Sequence, residues 1–137
     1  MATIRFAFLA EYAKAEPTGT VTALQAGLER VTVDASSQSA PLHLASVIVQ
    51  DGEGDAAQAT LTVTTTAPDE LYSLSQSIDL PAPQASTPST TAFAVRIDIP
   101  VVGEGIYRID IGLGEEVAVS IPLRIDLQAA EHAQSMS

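Results

Sequence analysis

The feature of this chain that most constrains its fold is an apolar period of two residues, rather than the 3.6 residues of an amphipathic helix. Within residues 4–11 the apolar side chains that share one face are Ile4, Phe6, Phe8 and Ala10. Alternation of this kind is typical of a strand that lies half buried against a core. We therefore expect both phenylalanines to face the interior, and strands to dominate the chain.

The same pattern predicts seven strands, separated by turns rich in Pro, Gly, Asp and Ser: residues 4–11, 20–33, 42–50, 59–66, 92–100, 103–113 and 117–125. Residues 67–80 fit either a short helix or an eighth strand, because periodicity does not separate the two over so short a run. Within residues 42–50 the strand is apolar on both faces from Ala45 to Val49, which is typical of a strand in the middle of a sheet.

Three residues predict local features of these strands. Gly27 lies inside the second strand, where a glycine often marks a bulge or a close approach of the backbone. Pro122 has no N–H group to donate, so the last strand is predicted to lie at an edge or to be bulged there. We interpret Tyr12 as a structural tyrosine that closes the fold. The side chains predicted to face inward in the later strands are Leu61, Val63, Phe93, Val95, Ile97, Ile99, Tyr107, Ile109, Ile111, Leu113, Val117, Val119, Ile121, Leu123 and Ile125.

Seven or eight strands with short connections predict an all-β fold, an antiparallel immunoglobulin-like (Ig-like) β-sandwich. A barrel is the alternative, since the spacing of strands does not distinguish the two. Residues 1–126 are predicted to form a single domain and residues 127–137 a polar, flexible tail. A chain of 137 residues is long enough to bury one substantial core.

The composition disfavours several partners and chemistries. Lys and Arg number 6 against 17 Asp and Glu, and the net charge of −11 disfavours nucleic acids and anionic membrane surfaces. The absence of Cys removes disulfides, thiolate metal sites and thiol nucleophiles. No apolar run approaches the roughly 20 residues of a membrane span, and the apolar start is too short for a signal peptide. We predict a cytoplasmic protein without a cofactor.

Two blocks of the sequence carry a resemblance to known proteins. The first is FAFLAEYAKAEPTGTVTALQAGLERV at residues 6–31, which ends near the pair Glu29-Arg30. The second comprises GIYRIDI at residues 105–111 and PLRI at residues 122–125. These blocks resemble the opening and closing strands of an uncharacterised family of small bacterial β-sandwich domains of unknown function. The resemblance implies a β fold and carries no activity with it.

The tripeptide Arg-Ile-Asp occurs three times, and its charged residues are Arg96, Asp98, Arg108, Asp110, Arg124 and Asp126. In each copy the Arg and the Asp share one face of a strand, with Ile on the other. If the strands are antiparallel neighbours, an Arg of one can meet an Asp of the next. The simplest interpretation is a solvated ladder of ion pairs, each worth about 0.2–1 kcal/mol. The functional hypothesis is a charged face that docks a partner or a second copy.

Other candidate sites are incomplete. Asp51, Glu53 and Asp55 place carboxylates at alternate positions of a turn, as calcium prefers, but Thr62 stands where the last bidentate Glu of an EF-hand belongs. We interpret this segment as an acidic turn and expect no metal. His43 has no sequence partner for catalysis, which predicts a histidine at the edge of the core with a local hydrogen bond. No nucleophile elbow and no phosphate loop is visible.

We therefore expect a non-catalytic structural or protein-interaction module whose partner is an unidentified protein or a second copy of the chain. The alternative is a small-ligand or carbohydrate-binding module, for which Tyr72 is the candidate exposed aromatic. An enzyme is disfavoured because the sequence shows no catalytic constellation.

Overall fold

The computed structural model describes residues 2–16, 20–50, 60–79, 89–113 and 116–128. Within these residues the chain is all-β, as predicted. The strands are β1 (Ala2–Ala10), β2 (Tyr12–Ala15), β3 (Val21–Leu24), β4 (Arg30–Asp34), β5 (Ser39–Gln50), β6 (Thr60–Thr66), β7 (Ser73–Asp79), β8 (Ser89–Pro100), β9 (Gly105–Leu113) and β10 (Glu116–Gln128). One turn of 3₁₀ helix, Pro68–Glu70, precedes β7.

The strands form two sheets that face each other and one separate hairpin. The three-stranded sheet has the order β1-β5-β8, and the five-stranded sheet has the order β4-β10-β9-β6-β7. Among the strands that the structure describes, β2 and β3 pair only with each other. The central position of β5 confirms the prediction for residues 42–50. All pairs are antiparallel except β4 and β10, which run parallel, so the predicted wholly antiparallel arrangement is wrong at that pair.

The described chain has more strands than the seven or eight predicted, for two reasons. Strand β2 lies outside the predicted strands, and residues 20–33 are divided into β3 and β4. Gly27 lies in the connection between them with φ +81°, so the predicted bulge within one strand is wrong. The N–H groups of Gly27 and Leu28 both donate to the carbonyl oxygen of Leu9, at 2.8 and 2.9 Å. These bonds anchor the connection to the end of β1, and β4 continues into the other sheet.

Bulges at two positions change which side chains face the core. The pairing of β1 with β5 shifts between Ile4 and Phe6, so Leu9 is buried whereas Phe6 is 42 % exposed. The pairing of β10 with β9 shifts between Val117 and Val119, and Val117 is 63 % exposed. The predicted inward orientation of the first-strand phenylalanines and of Val117 is therefore wrong. One inserted residue is enough to reverse the faces of a strand.

A single core fills the space between the two larger sheets, and the remaining inward predictions are confirmed there. Its fully buried large side chains come from both sheets: Leu9, Leu44, Ile48, Ile99, Leu61, Tyr107, Ile109, Ile111, Leu123 and Ile125. Burying one such side chain contributes roughly 1.5–3 kcal/mol. The hairpin packs on the outer face of the three-stranded sheet through a small cluster of Ala10, Ala13 and Ala45. That face is therefore partly covered.

Tyr107 closes the connection between β8 and β9. Its hydroxyl donates to the carbonyl oxygen of Gly103 at 2.8 Å and accepts the N–H of Val102 at 2.9 Å. Tyr12, predicted to have this kind of role, is 46 % exposed and packs its ring edge against His43 instead. His43 lies at the edge of the core with Nδ1 3.3 Å from the carbonyl oxygen of Glu11, as predicted.

Pro122 lies at the point where β10 gains a second neighbour. Strand β4 pairs with β10 only from Arg124 onward, whereas Pro122 pairs with Arg108 of β9. The N–H of Arg124 donates towards β4, to the carbonyl oxygen of Glu29 at 2.8 Å. Pro122 lies two residues earlier, so the nitrogen that lacks a hydrogen points to the same side of β10 as the Arg124 N–H. Strand β4 does not yet pair with β10 at that position, so the proline costs no ladder hydrogen bond. The predicted edge strand is therefore an interior strand whose first part alone lies at an edge.

Candidate interaction surface

The structure divides the predicted charged face between two sheets. Arg108, Asp110, Arg124 and Asp126 lie on the outer face of the five-stranded sheet, on the neighbouring strands β9 and β10. Arg96 and Asp98 lie on β8, in the other sheet. The three Arg-Ile-Asp copies therefore do not form one continuous surface.

Each of these arginines pairs with the aspartate of its own strand, two residues on, and not with an aspartate of the next strand. The nitrogen–oxygen distances are 3.2 Å for Arg96–Asp98, 3.0 Å for Arg108–Asp110 and 3.0 Å for Arg124–Asp126. The three arginine side chains are about half exposed or more, at 63, 54 and 46 %. Exposed pairs of this kind contribute little to stability, about 0–1 kcal/mol each.

Asp126 differs from the other aspartates because it holds two arginines. Nε of Arg124 donates to one carboxylate oxygen at 3.0 Å, and Nε of Arg30, on β4, donates to the other at 2.5 Å. The hydrogen bond from Arg124 and then the one from Arg30 lower the pKa of Asp126 below its ordinary value. The carboxylate is only 16 % exposed, whereas the Arg30 side chain is 71 % exposed. Asp126 therefore fixes the position of the Arg30 side chain, and the Arg30 guanidinium remains exposed to solvent.

Strand β4 turns one backbone edge away from the sheet. In a strand, alternate residues turn their N–H and C=O groups to the same neighbour. The Glu29 carbonyl accepts from Arg124, and the Ala35 N–H donates to Gln128, both at 2.8 Å, so the odd-numbered residues of β4 face β10. Thr32 therefore turns its N–H and C=O groups to the opposite side. In the part of the chain that the structure describes, β4 has no neighbouring strand on that side.

A groove of about 550 Å³, which we call the β4 groove, runs along this open edge. Its apolar lining includes Leu28, Val31, Val33 and Leu42, which are partly or fully buried. Its exposed polar lining includes Glu11, Gln25 and Arg30. The groove thus combines an unpaired strand edge, an apolar surface and a charged side chain within one concave region.

A second concave region, which we call the Arg108 depression, lies on the outer face of the five-stranded sheet. Its volume is about 390 Å³, and its lining includes Arg108, Ser120, Ile106 and the 3₁₀ turn. Asp69 and Glu70 in that turn both have φ +55°. The left-handed region costs a non-glycine residue roughly 1–2 kcal/mol, and such strain often accompanies functional sites.

Tyr72 is not the exposed aromatic that the carbohydrate hypothesis requires. It packs against the core, 6.4 Å between ring centroids from Tyr107, and its hydroxyl donates to the carbonyl oxygen of Pro100 at 2.6 Å. Burial, with a smaller contribution from Tyr107, raises the pKa of Tyr72 to about 12. The residue joins the segment before β7 to the end of β8.

The weak calcium candidates Asp51, Glu53 and Asp55 lie outside the described residues. Among residues 2–16, 20–50, 60–79, 89–113 and 116–128, no three His, Cys, Asp or Glu side chains group as a metal site would require. Over the same residues, no helix has the length and apolar character needed to cross a membrane.

Fold and surface together define an all-β protein with one core between two open sheets. The chain belongs to the family of unknown function DUF6941, whose model matches residues 5–126. This membership confirms the resemblance to a family of unknown function. No curated protein sequence matches the chain. One solved structure similar to this chain is the Pseudomonas fluorescens alkylpurine DNA glycosylase AlkC bound to DNA containing an abasic site analog. The TM-score is 0.49 and the sequence identity is 7 %. The match covers 88 % of this chain and 30 % of the glycosylase chain.

Proposed function

We propose that this chain is a non-catalytic protein-interaction module that binds an extended protein segment along β4. The observation that carries the proposal is the outward-facing edge of β4 beside the apolar β4 groove. In strand addition, main-chain hydrogen bonds supply affinity, and pockets for alternate side chains supply specificity. Thr32 offers the main-chain groups, and the groove offers the apolar surface.

An Ig-like sandwich with an inserted hairpin is the scaffold that we propose for this function. The Tyr107 hydroxyl bonds to the backbone of Gly103, four residues upstream, as in the tyrosine corner of such folds. On this assignment the opening strand is split between the two sheets as β1 and β4, with the β2–β3 hairpin between the two parts. The split leaves β4 at the end of the five-stranded sheet, where a further strand can be added.

Arg30 gives the β4 groove a preference for one kind of segment. Its guanidinium is held by Asp126 through Nε, and the side chain is largely exposed. A carboxylate of the bound segment can accept a charge-assisted hydrogen bond there, which is stronger than a neutral one. We therefore expect bound segments to be extended, apolar at alternate positions and acidic near Arg30.

The proposal can be tested with a displayed peptide library. Peptides are selected for binding to the wild-type chain, and their affinity for Thr32→Pro is then measured. Proline removes the outward N–H and keeps the ladder to β10, so the variant folds. We expect the selected peptides to bind Thr32→Pro at least tenfold more weakly than wild type. In the wild-type chain, bound peptide should protect the Thr32 amide from exchange with solvent. Ser77→Lys, on the exposed strand β7, is the matched control and keeps wild-type affinity. Equal binding to Thr32→Pro would show that the peptides use another surface.

The second candidate function is small-ligand binding in the Arg108 depression. The strained Asp69 and Glu70 beside Arg108 favour it, because they gather charged groups of both signs around the exposed apolar side chain of Ile106. None of the residues known to line the depression is aromatic, so a sugar-stacking platform is disfavoured. A thermal-shift screen of small polar metabolites, repeated on Arg108→Ala, tests it. A ligand that stabilises both proteins equally contradicts this site.

A further inference from the structure

We propose that the segment added along β4 is the β4 strand of a second copy of this chain, related by a two-fold axis through Thr32. This inference rests on the proposed function, since it names the partner for the same edge. The carrying observation is that β4, Arg30-Val31-Thr32-Val33-Asp34, is complementary to itself when reversed. Its two ends carry opposite charges, and its centre is a polar residue flanked by valines.

The backbone geometry permits this register. Thr32 turns its N–H and C=O outward, so two copies placed antiparallel about Thr32 form a hydrogen-bonded pair between their Thr32 residues. Each threonine then donates one bond and accepts one. A two-fold interface presents the same patch from both copies, which is the commonest symmetry among homo-oligomers.

The charges favour this register over its neighbours. Centring on Thr32 places Arg30 opposite Asp34 of the second copy, and the symmetry forms that contact twice. Centring on Val31 instead places Arg30 opposite Thr32 of the second copy, so Arg30 meets no opposite charge on that copy. Opposite charges at facing positions of paired strands stabilise the pair by about 0.2–1 kcal/mol.

The side chains at the two ends are held in place for this contact. Nε of Arg30 donates to Asp126, which leaves the terminal guanidinium nitrogens directed to solvent. One carboxylate oxygen of Asp34 accepts from the N–H and the hydroxyl of Ser36, at 3.0 and 2.9 Å. An ionised carboxylate has about four acceptor positions, so it can also accept from a guanidinium.

The apolar surface continues across the same two-fold axis. Val31 of one copy faces Val33 of the other on the inner side of the joined sheet, so the apolar linings of the two β4 grooves become continuous. Each copy contributes a strand of 5 residues, which places the interface at the small end of specific contacts. The net charge of −11 on each copy opposes association. We therefore expect a weak dimer, formed at roughly micromolar concentrations and above.

Two charge-reversed variants test the register. Arg30→Asp and Asp34→Arg each place like charges together in their own dimers, so each variant alone dissociates at least tenfold more readily than wild type. Mixed in equal amounts, they place opposite charges together at both ends, and they form a heterodimer. Sedimentation equilibrium at about 150 mM salt, where the screening length is near 8 Å, compares the wild type, each variant alone and the mixture.

Two controls separate assembly from folding. Arg96→Asp reverses an exposed arginine on the other sheet and leaves the dimer unchanged. Asp34→Asn keeps an oxygen that accepts from Ser36 and removes the charge, so it weakens the dimer severalfold. This variant keeps the test valid if Asp34→Arg disturbs the turn.

A wild-type chain that stays monomeric to about 1 mM overturns the second-copy inference, as does a mixture of the two variants that fails to associate. Peptide binding that remains sensitive to Thr32→Pro in that case preserves the proposed function with a different partner. If Thr32→Pro changes neither the dimer nor the binding of selected peptides, both the proposed function and this inference are wrong.

Discussion

The two edges of the five-stranded sheet, β4 and β7, differ in how they are held and in what they offer. Strand β4 has 5 residues, a charge at each end, and valines that pack on the core. Strand β7 has 7 residues, of which only Ile78 is partly buried, and its single charge is Asp79. Polar contacts hold β7 to β6: Thr64 lies 2.8 Å from the Ser75 hydroxyl, and Thr60 donates to Asp79 at 3.3 Å.

The comparison gives the reason for proposing β4, and not β7, as the docking edge, and that reason lies beneath the two strands. Behind the free edge of β4 is an apolar groove that an added segment covers, so association removes apolar surface from water. Behind β7 is a smaller gap of about 80 Å³, whose lining includes Leu74, Ile97 and Pro100. Few buried apolar contacts also place β7 at the low-stability end of the structure.

Proline substitution in β4 has the largest expected effect. Val33→Pro removes an N–H that faces β10 and leaves the opposing carbonyl without its donor, which costs about 1–3 kcal/mol. Thr32→Pro, one residue away, changes only the outward side and costs less than about 1 kcal/mol. Urea unfolding at low micromolar concentration compares the two. Equal losses would show that Thr32 also bonds within its own sheet.

Truncating one side chain on each edge tests which strand the core supports. Val33→Ala removes groups packed against the core and lowers the free energy of unfolding by about 1 kcal/mol. Leu74→Ala removes a side chain that is 51 % exposed, so the change stays within about 0.5 kcal/mol. The difference between the two urea midpoints is the measurement. A larger loss for Leu74→Ala would reverse the comparison.

Tyr72→Phe tests the polar anchoring of the β7 side. Loss of the bond to Pro100 lowers the free energy of unfolding by about 0.5–1.5 kcal/mol. The pKa of Tyr72 rises from about 10 to about 12 on folding, so its contribution is complete below pH 10 and lost as the pH rises towards 12. Urea midpoints between pH 9 and 12 should therefore fall more steeply for wild type than for Tyr72→Phe.

Asp126→Asn has the smallest expected effect and tests the ionic anchoring of the β4 side. Because the pKa of Asp126 is lowered on folding, its contribution is present above the ordinary pKa of an aspartate and is lost as the pH falls through the lowered value. The variant should lose that part of the acid dependence of the unfolding midpoint. Asp98→Asn, which breaks one exposed pair on β8, is the matched control and should unfold in acid as wild type does.

Features that depend on neighbours along the chain could be predicted from the sequence. The inward faces of Phe93 to Ile99 in β8 and of Tyr107 to Leu113 in β9 followed from alternation alone, since period two is a local property. The sequence did not decide between a strand and a helix for residues 67–80, which contain β7, because the apolar residues there fit both periods. The bulges near Phe6 and Val117 were invisible, since a bulge is defined by the partner strand.

Features that depend on distant pairing could not be predicted. Arg30 and Asp126 are 96 positions apart, and only the parallel pair of β4 and β10 brings them together. Gly27 signalled an unusual backbone, but its consequence depends on the two bonds to Leu9 that direct the chain between sheets. The candidate charged face therefore included Arg124 and Asp126 and missed Arg30, the residue that connects this face to the β4 groove.

The parallel pairing of β4 and β10 has a mechanical consequence. A pull on the polypeptide before β4 and after β10 drags the two strands past each other along their length. The hydrogen bonds between them lie across the direction of the force and bear it together, whereas the bonds of a hairpin pulled from its open end break one after another. The strand whose outer edge we propose for docking is thus also the strand that resists shear, and a segment added beside it would add a second row of bonds that resist the same force.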